Sequence, residues 1–116
     1  MTEITGSPDC GNSPKNRLVQ NLAVALETGQ PPGCSLADDV NWHRPVGILS
    51  GREPVMEALS GVTMPRAVTI HHAIAHGKVG AANGVTRLAD GSERRFCHVF
   101  RFTSAAARAV DEITSY

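Results

Sequence analysis

Residues 66–103 read RAVTIHHAIAHGKVGAANGVTRLADGSERRFCHVFRFT, and the reading of this stretch decides the fold. Its apolar side chains recur at every second position, the period of a strand with one buried face. Turn residues divide it twice, at Gly77-Lys78 and at Asp90-Gly91. Asp-Gly between alternating segments is a strong hairpin signal, because both residues accept the positive φ of a two-residue turn. The expected structure is a meander of three antiparallel strands, 66–76, 79–88 and 93–103.

If both loops hold two residues, His76 faces Val79 and Ala89 faces Ser92, and every other pairing follows. One face then carries the rows Ile74/Ala81/Phe100, His72/Asn83/His98 and Ile70/Val85/Phe96. Gly80, Ala82, Gly84, Thr86, Cys97 and Val99 fall on the other face. A polar row flanked by apolar rows needs partners, because an unpaired buried polar group costs about 1–3 kcal/mol. His72, Asn83 and His98 are therefore candidates for lining a ligand site, or for satisfying one another. His72 and His98 lie two strands apart, roughly 9–10 Å between backbones, with Asn83 between them.

The run His71-His72-x-x-x-His76 has the spacing of a zinc pair on a helix. On a strand those two positions are about 13 Å apart, so no metal and no other cofactor is expected.

Upstream, Ser13-Pro14 reads as an N-cap followed by proline at the first helical position. Leu18, Val19, Leu22 and Leu26 follow at helical spacing until Gly29. Ser35–Asp39 is expected to form a helical turn, and Val40–Arg44 a brief strand ended by Pro45. Gly51-Arg52-Glu53-Pro54 opens a second helix, whose apolar stripe is Val55, Met56, Leu59 and Val62. After residue 103 the chain is expected to turn and then close with a strand. Residues 1–14 carry little to bury and are expected to be a disordered leader, leaving 15–116 as one domain.

The chain of 116 residues is 41% hydrophobic, enough for a single core. Eleven Lys and Arg balance eleven Asp and Glu, which leaves no basic excess for nucleic acid or a membrane surface. Three cysteines without metal or disulfide spacing suit a reducing compartment, and a cytoplasmic location is expected.

One order of segments stands out: a helix, then Ala37-Asp38-Asp39-Val40-Asn41-Trp42, Pro45-Val46-Gly47 and Ser50-Gly51-Arg52-Glu53. The meander follows, ending in Phe96-Cys97-His98-Val99-Phe100-Arg101-Phe102, with Ile113-Thr114-Ser115-Tyr116 last. Over residues 15–116 this resembles the SnoaL-like branch of the nuclear transport factor two-like superfamily. The resemblance implies an α+β fold, a cone-shaped curved antiparallel sheet packed on two or three N-terminal helices. It also implies an apolar pocket and a homodimer through the sheet.

In the ketosteroid isomerases of that superfamily an Asp-Pro-Val-Gly motif places the general base. Here the motif reads Arg44-Pro45-Val46-Gly47, and an always-charged guanidinium does not abstract a proton. The later acidic position is matched by His98, which serves as acid or base near neutral pH. The expected protein takes a small apolar or weakly acidic carbonyl or hydroxyl compound, as an isomerase, dehydratase or cyclase. The alternative is a non-catalytic ligand-binding or dimerisation module of the same fold. His98, Asn83 and His72 are the expected catalytic residues; Trp42, Arg44, Phe96, Phe100, Ile74 and Met56 are the expected ligand contacts.

Overall fold

The computed structural model describes residues 2–32 and 34–116. Helix α1 runs Pro14–Thr28: the Ser13 hydroxyl accepts the Asn16 N–H at 3.2 Å, and Gly29 at φ 77° returns its N–H to Ala25 at 2.8 Å. That left-handed φ is one glycine adopts without strain. Its buried stripe of Val19, Leu22, Ala23 and Leu26 lies against the meander. Helix α2, Arg52–Ser60, buries Val55 and Leu59 and leaves Met56 exposed. Three strands of the sheet precede it, and both helices precede the meander.

The meander has strands β4 Ala67–His76, β5 Val79–Arg87 and β6 Glu93–Phe102; β7, Ala109–Ser115, extends it antiparallel to β6. Strands β1 Glu3–Thr5, β2 Ser35–Arg44 and β3 Gly47–Ser50 complete a sheet of order β1-β4-β5-β6-β7-β2-β3. Strand β1 is parallel to β4 and β2 is parallel to β7, so the curved sheet is mixed rather than wholly antiparallel. Ser35–Asp39, expected as a helical turn, is the start of β2. Pairing of Ser35 and Leu36 with Ala109 and Val110, and burial of Leu36, override the local turn preference of Asp38-Asp39.

Two irregularities correct the expected register. The Gly77-Lys78 turn pairs His76 with Val79 as expected, with positive φ at Gly77 alone, as a type II′ turn requires. At His71, however, β4 bulges, and pairing resumes at Ile70 with Gly84. The second hairpin loop holds three residues, Ala89-Asp90-Gly91, closed by Leu88 N–H to the Ser92 carbonyl at 2.8 Å. One extra loop residue moves β5 against β6 by one position, which exchanges faces. The helix-covered inner face therefore carries Gly80, Ala82, Gly84 and Thr86 opposite Phe100, His98, Phe96 and Arg94.

The segment read as a leader packs on the fold along part of its length. Beyond β1, a 3₁₀ turn at Pro8–Cys10 buries Cys10. Ser7 donates its hydroxyl to the His71 carbonyl at 3.0 Å, and the Asp9 carboxylate accepts the Ala73 N–H at 3.2 Å. The backbone groups loosened by the bulge are thus satisfied by side chains from the chain's beginning.

Candidate functional site

The inner face at the β6–β7 junction holds a continuous hydrogen-bond chain. His98 pairs with Ser115 across the two strands, and its Nδ1 lies 2.6 Å from Ser115 Oγ. Ser115 Oγ also accepts the Trp42 indole N–H at 2.8 Å. On the other side, His98 Nε2 lies 2.7 Å from Glu27 Oε2 at the C-terminal end of α1. Glu27 Oε1 accepts the Thr86 hydroxyl at 2.7 Å and an Arg94 N–H at 2.9 Å. Phe96 stacks on the His98 ring with centroids 5.3 Å apart, and Phe100 lies tilted at 6.3 Å.

Burial would raise the Glu27 carboxyl, but the hydrogen bonds from His98 and Thr86, the His98 charge and the Arg94 bond outweigh it and hold it at about 2. Glu27 is thus ionised at neutral pH and only accepts, which requires a hydrogen on His98 Nε2. In the neutral imidazole Nδ1 then accepts the Ser115 hydroxyl, whose oxygen takes the Trp42 N–H. Every donor from Trp42 to Glu27 finds an acceptor in this single direction.

Arg44 lies at one end of this face, two residues beyond Trp42 on β2. Its guanidinium sits over the indole, 5.4 Å from the ring centroid, a cation–π distance. Its Nε is the one buried side-chain nitrogen or oxygen among the described residues without a hydrogen-bond partner.

The expected row of His72, Asn83 and His98 is not formed. His72 pairs with Asn83 as expected, but the three-residue loop pairs Asn83 with Cys97 on the outer face and His98 with Ala82 on the inner one. His72 and Asn83 are exposed, and His72 Nδ1 lies 3.1 Å from Asp9 instead. Ile74, 60% exposed, is also on the outer face, and Met56 points away from the core on α2. Trp42, Phe96 and Phe100 are buried on the inner face that holds His98, and Arg44 is half-buried.

Glu27, Thr86, Arg94 and Ser115 escaped the sequence reading. A signal for Glu27 exists: Val19, Ala23 and Glu27 are four apart, which puts a carboxylate on the apolar stripe of α1. Five surface clefts of about 310–410 Å³ surround the domain, and none of the five is lined by Glu27, His98 or Ser115. The inner face at His98 is filled by Phe96, Phe100 and the polar chain itself. Among the described residues no three His, Cys, Asp or Glu are grouped to hold a metal ion, and no helix is long and apolar enough to cross a membrane.

The family model of the SnoaL-like domain matches residues 19–111. The chain belongs to the SnoaL-like family. No curated protein matches the sequence of this SnoaL-like protein. Its fold is similar to that of an NTF2-like protein of unknown function from Mesorhizobium loti, with TM-score 0.70 and 17% identity over 97% of each chain. A second NTF2-like protein of unknown function, from Burkholderia pseudomallei, gives TM-score 0.65 and 21% identity over 88% of this chain and 89% of that one. A de novo designed protein with a curved β-sheet gives TM-score 0.68 and 13% identity over 89% and 84%. These identities establish a shared fold alone, one consistent with a small-molecule pocket in a SnoaL-like domain.

Proposed function

We propose that this protein binds a small carbonyl or hydroxyl compound at the end of the inner sheet face bounded by Trp42, Arg44 and Ser115. We further propose that His98 serves it as general acid and base, in isomerase, dehydratase or cyclase chemistry. The observation that carries this reading is the unbroken chain Trp42–Ser115–His98–Glu27. A proton taken up at Ser115 Oγ passes to His98 Nδ1, and the Glu27 carboxylate stabilises the resulting imidazolium, as a buried acid does in a catalytic triad. The test is a screen of small ketones, enols and hydroxy compounds, followed by His98→Gln and Ser115→Ala. A rate within twofold of wild type in both variants overturns the assigned role.

A second reading has its own support. Both ring nitrogens of His98 are already bonded within the protein, and the residue lines none of the five clefts. On this reading the chain is structural, and the domain is a non-catalytic binding or dimerisation module. It predicts that Ser115→Ala lowers stability and alters no turnover. In either case two copies pair through the outer sheet face, where Ile74 and Val79 stand exposed.

A further inference from the structure

We infer that Arg44 is the recognition group of this site and that its ligand carries a carboxylate. The inference rests on the proposed binding of a small molecule at the end of the inner face, and it names the chemical class of that molecule. On the β2–β7 ladder Trp42 pairs with Ile113 and His43 with Thr114. Arg44 and Ser115 are the next residues on their strands, and each is two beyond a buried inner-face residue, so both belong to the inner face. Arg44 therefore stands beside the Ser115 end of the polar chain.

Two observations, its buried Nε and its indole contact, separate Arg44 from the other arginines. Arg52, Arg87, Arg94 and Arg101 each have a carboxylate within 4 Å; among the described residues Arg44 has none, as is also true of Arg17, Arg66, Arg95 and Arg108. Its Nε is buried without a partner, although a buried charged donor normally has one. Its guanidinium is held against an indole whose own N–H is committed to Ser115. The Nε edge of a guanidinium is a two-donor fork that matches the two oxygens of a carboxylate. The inner-face carboxylate Glu27 is already engaged by His98, Thr86 and Arg94, and Glu112 of the neighbouring β7 by Arg101 and His43. A ligand oxyanion is the partner left for this edge. A carboxylate bound there lies beside the hydroxyl through which His98 reaches the ligand, which suits a substrate whose reacting carbon is close to its acid group.

Trp42 is the single tryptophan of the chain, so its fluorescence reports on the Arg44 position directly. The full chain is titrated with benzoate and with benzamide at neutral pH and fixed ionic strength. Benzoate is expected to change the Trp42 emission saturably, with an affinity at least tenfold above that for benzamide. Arg44→Met, which keeps the stem over the indole, is expected to bring the two affinities within twofold, and Arg44→Lys to retain part of the preference. Equal affinities in the wild-type protein, or a preference that survives in a folded Arg44→Met variant, overturn the inference and leave the proposed binding site standing. Absence of saturation with both probes overturns the inference together with the reading on which it rests.

Discussion

His98 on β6 and Glu27 on α1 meet at 2.7 Å inside the protein, and through them the sheet is bonded to the helix that covers it. Both side chains are almost fully buried, at 5% and 6% exposure. A buried pair of this kind is costly to break, because the surviving partner is left without water or acceptor. Glu27→Ala leaves the His98 and Thr86 donors unpaired and is expected to destabilise the fold by about 3–5 kcal/mol. Glu27→Gln keeps an oxygen for Thr86 and Arg94 and is expected to cost less, about 1–3 kcal/mol. Urea unfolding of the three proteins checks the order; an alanine variant as stable as wild type would remove the case for a stabilising polar chain.

The same carboxylate predicts how stability responds to acid. Folding lowers the Glu27 carboxyl from 4.5 to about 2, so the folded state binds this proton less readily than the unfolded chain. The contribution is therefore complete above pH 4.5 and is lost as pH falls through about 2. Its size is on the order of 3 kcal/mol. Asp9 and Asp90 are also held low, by hydrogen bonds from His72 and from Ser92, and act in the same direction. They remain in Glu27→Gln, so the difference between the two proteins isolates Glu27. Unfolding free energies at pH 6 and pH 2.5 are expected to differ more in the wild type than in Glu27→Gln; parallel losses would contradict the assignment.

Gly84 tests the register itself. On the inner face it lies against the Thr69 carbonyl, and an added Cβ would also stand 2.9 Å from the Phe96 ring. The obstruction is backbone on one side and a core ring on the other, so neither yields easily. Gly84→Ala is expected to cost about 1–3 kcal/mol or more, as overpacked cores do. At Gly61, by contrast, φ is −88° and the nearest atom is 3.6 Å from the added carbon, so Gly61→Ala is expected to lie within about 0.5 kcal/mol of wild type. Thermal denaturation distinguishes the two. Had Gly84 faced outward, as two-residue turns would place it, both substitutions would be mild.

What could be read in advance depended on how local its cause was. Ser13, Pro14 and Gly29 set the ends of α1 through contacts within a few residues, and the observed helix ends where they predict. The alternation of Phe96, His98, Phe100 and Phe102 put these four on one face correctly, because it depends on β6 alone. The row of His72, Asn83 and His98 depended on two loops: the first pairs His72 with Asn83 as expected, and the second, one residue longer, sets His98 opposite Ala82 instead, while the row of Ile70 and Val85 needed an unbroken β4. The bulge that breaks β4 is held by Ser7 and Asp9, each 64 positions from the groups they bond. No local pattern around His71 announces it. Ser115 was likewise outside reach, since its role depends on the pairing of β6 with β7 and of β7 with β2.

The outer face supplies the last prediction. Ile74 is 60% exposed and Val79 48% exposed, and Ile74 pairs directly with Ala81, so this corner of the sheet presents an apolar surface to solvent. A cleft of about 320 Å³ lies there between Ile74 and Ala81. Contiguous exposed apolar surface is the signature of an association site rather than of a solvated sheet. If two copies pair through it, an aspartate at the centre would bury an unpaired charge in the assembly while leaving the monomer's core untouched. Sedimentation equilibrium at micromolar concentration is expected to give twice the chain mass for the wild type and the single mass for Ile74→Asp, with thermal stability of the monomer changed little. A wild-type protein that sediments as a monomer would overturn the pairing, and a variant that keeps the doubled mass would place the partner surface elsewhere.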